Sequence, residues 1–171
     1  MNGKVIVVDQ QLCDGCGLCV LACSLAHTGS AAPERAHIKV WRVEDGFDAP
    51  LTCHHCETAS CVRACPTKAC RRDAVGRRVI IDERQCIGCR ACNVACPFGH
   101  AHYDEVARVS LKCDYCDGEP ECVRVCEPGA VRYVFSDESS DHRRRGAAIA
   151  AASHHLGALT SPEVQNAASH E

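Results

Sequence analysis

The sequence predicts an α+β fold, one domain or two small lobes, with short strands and helices gathered around cysteine-rich loops. Three observations predict it. Cysteine supplies 17 of 171 residues, far above ordinary usage and the mark of a cross-linked or metal-filled scaffold in a short chain. Aromatic residues make up only 4%, and the 46% apolar fraction already includes those cysteines. A conventional core would therefore be thin, and something besides side-chain burial must hold the chain together. Finally, short runs rich in branched residues flank the cysteine loops and read as strands.

In chain order, Lys4–Asp9 reads as a strand ahead of the first loop, and Val79–Asp82 repeats it as Val-Ile-Ile-Asp ahead of the third. Ile38–Val43 and Val131–Phe135 are two further β-like runs, and residues 24–52 and 97–112 connect the cysteine groups. No stretch approaches the roughly 20 apolar residues of a membrane-spanning helix. The first cysteine, at position 13, leaves no room for a signal peptide. A formal charge of −3 is too near neutral to suggest a nucleic-acid binder. These readings make the chain a soluble, cytoplasmic protein in expectation, although a folded subunit could be exported beside a partner carrying its own signal. In that compartment a high cysteine density points to metal rather than to disulfides.

The spacings favour metal as well. Cys13, Cys16, Cys19 and Cys23 read C-x2-C-x2-C-x3-C, and Cys86, Cys89, Cys92 and Cys96 repeat that spacing. Cys53, Cys56, Cys61 and Cys65 read C-x2-C-x4-C-x3-C; Cys113, Cys116, Cys122 and Cys126 read C-x2-C-x5-C-x3-C. The third group, ending in Cys96-Pro97, matches the run by which bacterial ferredoxins hold [4Fe–4S] clusters. Three thiolates wrapped along one loop can reach three irons on one face of a cubane. Gly15, Gly17 and Gly88 let the backbone turn tightly enough to do so. The fourth cysteine is expected to start a short helix, point away and ligate the other cluster of a pair. Structural zinc sites instead join two separated C-x2-C pairs, and the C-x3-C-x2-C spacing of radical enzymes that open S-adenosylmethionine is absent. Such hairpins are too small to stand alone, so iron–sulfur bonds would supply much of the folding free energy.

On these sixteen cysteines the chain resembles the four-cluster, ferredoxin-like electron-transfer subunits of dimethyl-sulfoxide-reductase, formate-dehydrogenase, hydrogenase and carbon-monoxide-dehydrogenase systems. It is also similar to the small iron–sulfur subunit of tungsten aldehyde oxidoreductases. The resemblance covers about residues 1–136. It implies a tandem ferredoxin-like fold of two 2[4Fe–4S] lobes, the outer from 1–30 and 108–136 and the inner from 50–100. It further implies clusters held by Cys13, Cys16, Cys19 with Cys126; by Cys113, Cys116, Cys122 with Cys23; by Cys53, Cys56, Cys61 with Cys96; and by Cys86, Cys89, Cys92 with Cys65. Ser24 and Glu127 depart from the family by replacing proline after the outer groups, and two loops are lengthened.

The function so implied is non-catalytic: single electrons relayed between a catalytic oxidoreductase subunit and a flavin subunit or soluble carrier. A tungsten or molybdenum aldehyde oxidoreductase is the first choice of partner, with carbon-monoxide dehydrogenase, hydrogenase or formate dehydrogenase as alternatives. A structural zinc-binding interaction module is the reading from another class. With about two negative charges on each oxidised cluster, the formal −3 becomes about −11. Arg63, Arg84, Arg90 and Arg124 could offset that charge or simply form a solvated face. Cys70, the seventeenth cysteine, reads as a buried structural thiol, and His54 and His55 as loop histidines. Asp14, Asp114 and Asp117 are expected to satisfy loop N–H groups. Residues 137–171 form a polar, then alanine-rich tail, helical or disordered. It is a candidate docking arm for a partner enzyme or, head to tail, for another copy of the chain.

Overall fold

The computed structural model describes residues 3–43, 47–74 and 78–136. The 137–171 tail, with its helical and docking readings, lies outside the described residues. Residues 5–133 form one compact unit, and the described residues 3–4 and 134–136 fall in another.

Among the described residues, four α-helices and eight strands run in order. They are β1 (Lys4–Val8), α1 (Leu18–Thr28), β2 (Lys39–Val43), β3 (Phe47–Leu51), α2 (Ser60–Arg63), β4 (Cys70–Arg72), β5 (Val79–Ile81), α3 (Ala91–Ala95), β6 (His102–Asp104), β7 (Val109–Leu111), α4 (Glu121–Arg124) and β8 (Val131–Phe135). All four expected strands are present. The two connecting stretches carry structure that their composition does not announce: β2 and β3 form one antiparallel hairpin and β6 and β7 another.

The pairing nests one half of the fold inside the other. β1 before the first cysteine group pairs with β8 after the fourth, and β4 after the second pairs with β5 before the third. The helices follow suit, α1 packing on α4 and α2 on α3. Two apolar clusters result. One gathers Cys19, Cys23, Ala36, Ile38, Cys122 and Val131, and the other Ala59, Cys70 and Val79. Cysteine stands where leucine or phenylalanine would fill an ordinary core, which is why so few aromatics suffice. Cys70, 1% exposed, is the buried thiol that the sequence suggested.

The helices do not begin where expected. The third cysteine, not the fourth, opens each one: Cys19, Cys61, Cys92 and Cys122 are each the second helical residue. Cys65, Cys96 and Cys126 lie just past the helix ends, where proline at or near the next position prevents continuation. Ser24 lifts that block. Fully buried, it donates to the Leu21 carbonyl and accepts from the Ala32 N–H, so α1 runs on to Thr28 and ends at a left-handed Gly29. That extra length carries Cys23 and His27 towards the fourth cysteine group.

Candidate metal centres

Each cysteine loop is shaped by one left-handed residue immediately before its second cysteine. These are Gly15 (φ +71°), His55 (+47°), Gly88 (+67°) and Tyr115 (+63°). At Gly88 glycine is demanded by space as well as by φ. A Cβ there would lie 2.6 Å from the Arg108 carbonyl oxygen, whereas one on Gly15 would meet the end of the Asp48 side chain. The other two loops are the lengthened ones. There a histidine and a tyrosine accept the strained conformation, both are buried, and their rings lie 3.9 Å apart. The sequence motif points to the glycines and gives no sign of this pair.

The helix pairing then brings distant cysteines together. One cavity of about 140 Å³ is lined by Cys53, Cys56, Cys61 and Cys96, with His54, His55, Phe98 and His100 around them. A narrower one, about 20 Å³, is lined by Cys13, Cys16, Cys19 and Cys126. Cys122 has Cys113, Cys23, Cys116 and Cys19 for thiol neighbours, and Cys92 has Cys86 and Cys65. Cys89 is exposed on the loop before α3. Each fourth cysteine therefore approaches the loop of another group: Cys126 the first, Cys96 the second, Cys65 the third and Cys23 the fourth.

Two electrostatic effects oppose each other at these thiols. Burial pushes Cys113 up to about 12 and Cys19 and Cys116 up to about 11. Without a cation these sulfurs keep their protons, and a thiophilic metal would displace them. Backbone N–H groups already point at several sulfurs: His37 at Cys23 (3.2 Å), Cys70 at Cys65 (3.3 Å), Val131 at Cys126 (3.4 Å) and His55 at Cys53 (3.4 Å). Hydrogen bonds of this kind favour the thiolate. The neighbouring Cys70 thiol lowers Cys61. Cys70 itself is raised by that pairing and by burial, so it stays protonated beside a candidate ligand.

Other expectations meet mixed outcomes. Asp14 and Asp114 each accept from the N–H of the second cysteine of their group, at 3.1 and 2.9 Å. Asp117 does something else: it pairs with Arg78 at 2.7 Å. Arg90 stacks over Tyr103 and pairs with Glu105, and Arg124 pairs with Glu121, so both have surface partners other than a cysteine loop. The buried cation is one the sequence reading passed over. Lys112, 3% exposed, donates to the carbonyls of Val79 and Cys113. A lysine beside a cysteine carries no signal of burial, because only the fold brings β5 against it.

Two mixed donor sets also occur among the described residues, Cys23–His27–His37 and His27–Asp114–Cys116. His27 Nε2 stands 3.6 Å from Cys116 Sγ and 3.5 Å from Asp114 Oδ1. Such Cys/His sets suit zinc. Each uses a cysteine that also belongs to an all-thiol gathering, so the two chemistries compete for the same sulfurs. Residues 45–136 match the family described as 4Fe-4S dicluster domain, and residues 5–28 match a 4Fe-4S binding domain.

The chain belongs to the 4Fe-4S dicluster family.

As a member, it binds [4Fe–4S] clusters, and its grouped cysteines are as many as four all-thiolate clusters require. A Pyrococcus furiosus protein named as the polyferredoxin-like subunit of an aliphatic sulfonate oxidoreductase is 38% identical over 121 residues, 71% of this chain and 70% of its own. A thiosulfate reductase electron transfer subunit of Salmonella typhi is 33% identical over 156 residues, 83% of this chain and 81% of its own. The hydrogenase-4 component A of Escherichia coli is 31% identical, covering 78% of this chain and 83% of its own. No described helix is long and apolar enough to cross a membrane.

Proposed function

We propose that this chain is the electron-relay subunit of an oxidoreductase complex, passing single electrons through four [4Fe–4S] clusters and catalysing no reaction of its own. The residues proposed to hold them are Cys13, Cys16, Cys19 and Cys126; Cys113, Cys116, Cys122 and Cys23; Cys53, Cys56, Cys61 and Cys96; and Cys86, Cys89, Cys92 and Cys65. In this reading residues 1–136 form two lobes, the nested halves described above. An all-cysteine [4Fe–4S] cluster, when bound, takes up and returns one electron and offers no open iron to a substrate.

The observation that carries the reading is the succession of neighbouring sulfurs. Cys19 of the first set influences Cys122 of the second, and Cys53 of the third influences Cys113 of the second. Cys92 of the fourth set and Cys61 of the third share Cys70 as a neighbour. That gives one order, with the exposed Cys16 and Cys89 belonging to its first and last members. Exposed apolar side chains flank the cysteines of both in sequence, Leu12 and Leu18 beside Cys13 and Cys19, Ile87 and Val94 beside Cys86 and Cys92. Electrons would enter at one exposed set and leave at the other, while the two inner sets stay covered.

The partner proposed on the catalytic side is a tungsten or molybdenum oxidoreductase acting on aldehydes, with a flavin subunit or soluble carrier on the other. The relatives' roles in sulfonate, thiosulfate and hydrogen metabolism support a redox-enzyme partner in general. Anaerobic co-purification with the tagged native protein, followed by elemental analysis, tests the choice. Tungsten or molybdenum beside iron supports it. Nickel moves the chain to a hydrogenase or carbon-monoxide dehydrogenase, and zinc without iron removes the relay altogether.

A further inference from the structure

We propose that Lys112 is a fixed positive charge shared by the two inner clusters of the relay, holding their potentials above those they would otherwise have. This rests on the relay reading and on its assignment of Cys53 and Cys113 to adjacent clusters. The lysine is 3% exposed, deeper than any other lysine or arginine among the described residues. Its ammonium donates to the carbonyl of Val79, on the strand of the inner half, and to that of Cys113, in the outer half, at 2.6 Å for the latter. Val79 itself lines the cavity of the Cys53 set, and the Cys53 thiol has Lys112 among its charged neighbours.

No carboxylate neutralises it: none of the ion pairs among the described residues includes Lys112. Arg78, at the same junction, is different. It reaches the Asp114 carbonyl, but Asp73 and Asp117 pair with it at 2.7 Å each. Lys112 also lies among the neighbours that ease the charging of Cys53, Cys61 and Cys113. Cys19 and Cys92, in the two exposed sets, are instead raised by burial and by neighbouring thiols. A reduced cluster carries one more negative charge than an oxidised one, so an unpaired buried cation stabilises the reduced form and raises the potential. The inner pair of clusters would then be easier to reduce than the sequence of their ligands implies, and an electron arriving from either exposed set would settle there between transfers.

Redox titration of the iron-loaded chain, followed by electron paramagnetic resonance, tests this with Lys112→Met, which keeps the volume and removes the charge. One or two of the four components should need a more negative potential, by a tenfold change in their reduced-to-oxidised ratio, about 59 mV for one electron. The others should stay in place, and Lys112→Arg should restore the shifted ones. No movement in any component, or the same movement in all four, overturns the proposal. Iron content reads the relay reading separately: a wild-type chain with fewer than four clusters sinks that reading whatever Lys112 does. Should the methionine variant fail to load iron, the wild type grown with nitrogen-15 lysine decides. Hyperfine coupling from a lysine nitrogen should appear on one reduced cluster and vanish in Lys112→Arg, and its absence from the wild type contradicts the contact.

Discussion

The first and third cysteine loops are short, turn on glycine and leave Cys16 and Cys89 exposed. The second and fourth are longer, turn on His55 and Tyr115, and face each other across a junction that also holds Lys112 and Arg78. The same backbone problem, a left-handed residue before the second cysteine, is thus solved twice by removing a side chain and twice by burying one. In the short loops a neighbouring residue lies where a Cβ would go, and glycine meets the conformational need without that clash. At the junction, the side chain that tolerates the strain is also the one that fills the space.

The largest effect should come from breaking the glycine solution. Gly88→Ala meets the Arg108 carbonyl at 2.6 Å in a left-handed conformation, and the strain of about 1–2 kcal/mol comes on top of the backbone clash. It should cost the chain one cluster, read as a loss of about a quarter of the iron. Gly17→Ala is the control. It shares the positive φ but meets nothing within 4 Å, so only the strain remains and the iron count should hold.

Next comes the histidine solution. His55 Nδ1 accepts the buried Val79 N–H at 2.9 Å, and His55→Ala leaves that donor without a partner. A cost of about 1–3 kcal/mol should appear as a lower unfolding midpoint of the iron-loaded protein. His55→Asn, which can offer an oxygen and also tolerates positive φ, should recover part of it. A smaller loss, about 1–2 kcal/mol for a truncated thiol, is expected for Cys70→Ala with all clusters retained, whereas Cys65→Ala should lose one. Equal iron in both variants would break the assignment of Cys65.

A further effect concerns pH. Burial pushes His102 down to about 4, so the folded chain holds it neutral while the unfolded chain protonates it below its ordinary value near 6.5. The unfolded state then binds more protons, and stability should decline as pH falls from about 6.5 towards 4. His102→Gln should flatten that decline in acid titrations of the unfolding midpoint.

How much of this could be read from the residues follows the same division. Cysteine spacing marks all sixteen candidate ligands, and proline after Cys65 and Cys96 marks where helices stop. Ser24 signals the exception, though not its consequence, the extended helix that brings Cys23 and His27 to the fourth loop. The helix starts were misread because the motif shows spacing but not which cysteine the first turn encloses. Of the two hairpins, β2 is legible as the Ile38–Val43 run, whereas β3, β6 and β7 are not, because their runs are short or polar. Lys112 and the His55–Tyr115 pair were missed for a different reason: each owes its place to a residue far away in sequence, Val79 for the lysine and the facing loop for the rings.

The central claim is that sixteen cysteines hold four clusters in one chain. Mössbauer spectroscopy with iron and sulfide analysis of the anaerobically isolated protein tests it most directly. About sixteen irons per chain, all in [4Fe–4S] form, is the predicted result. About eight irons, or zinc in the place of iron, would contradict it.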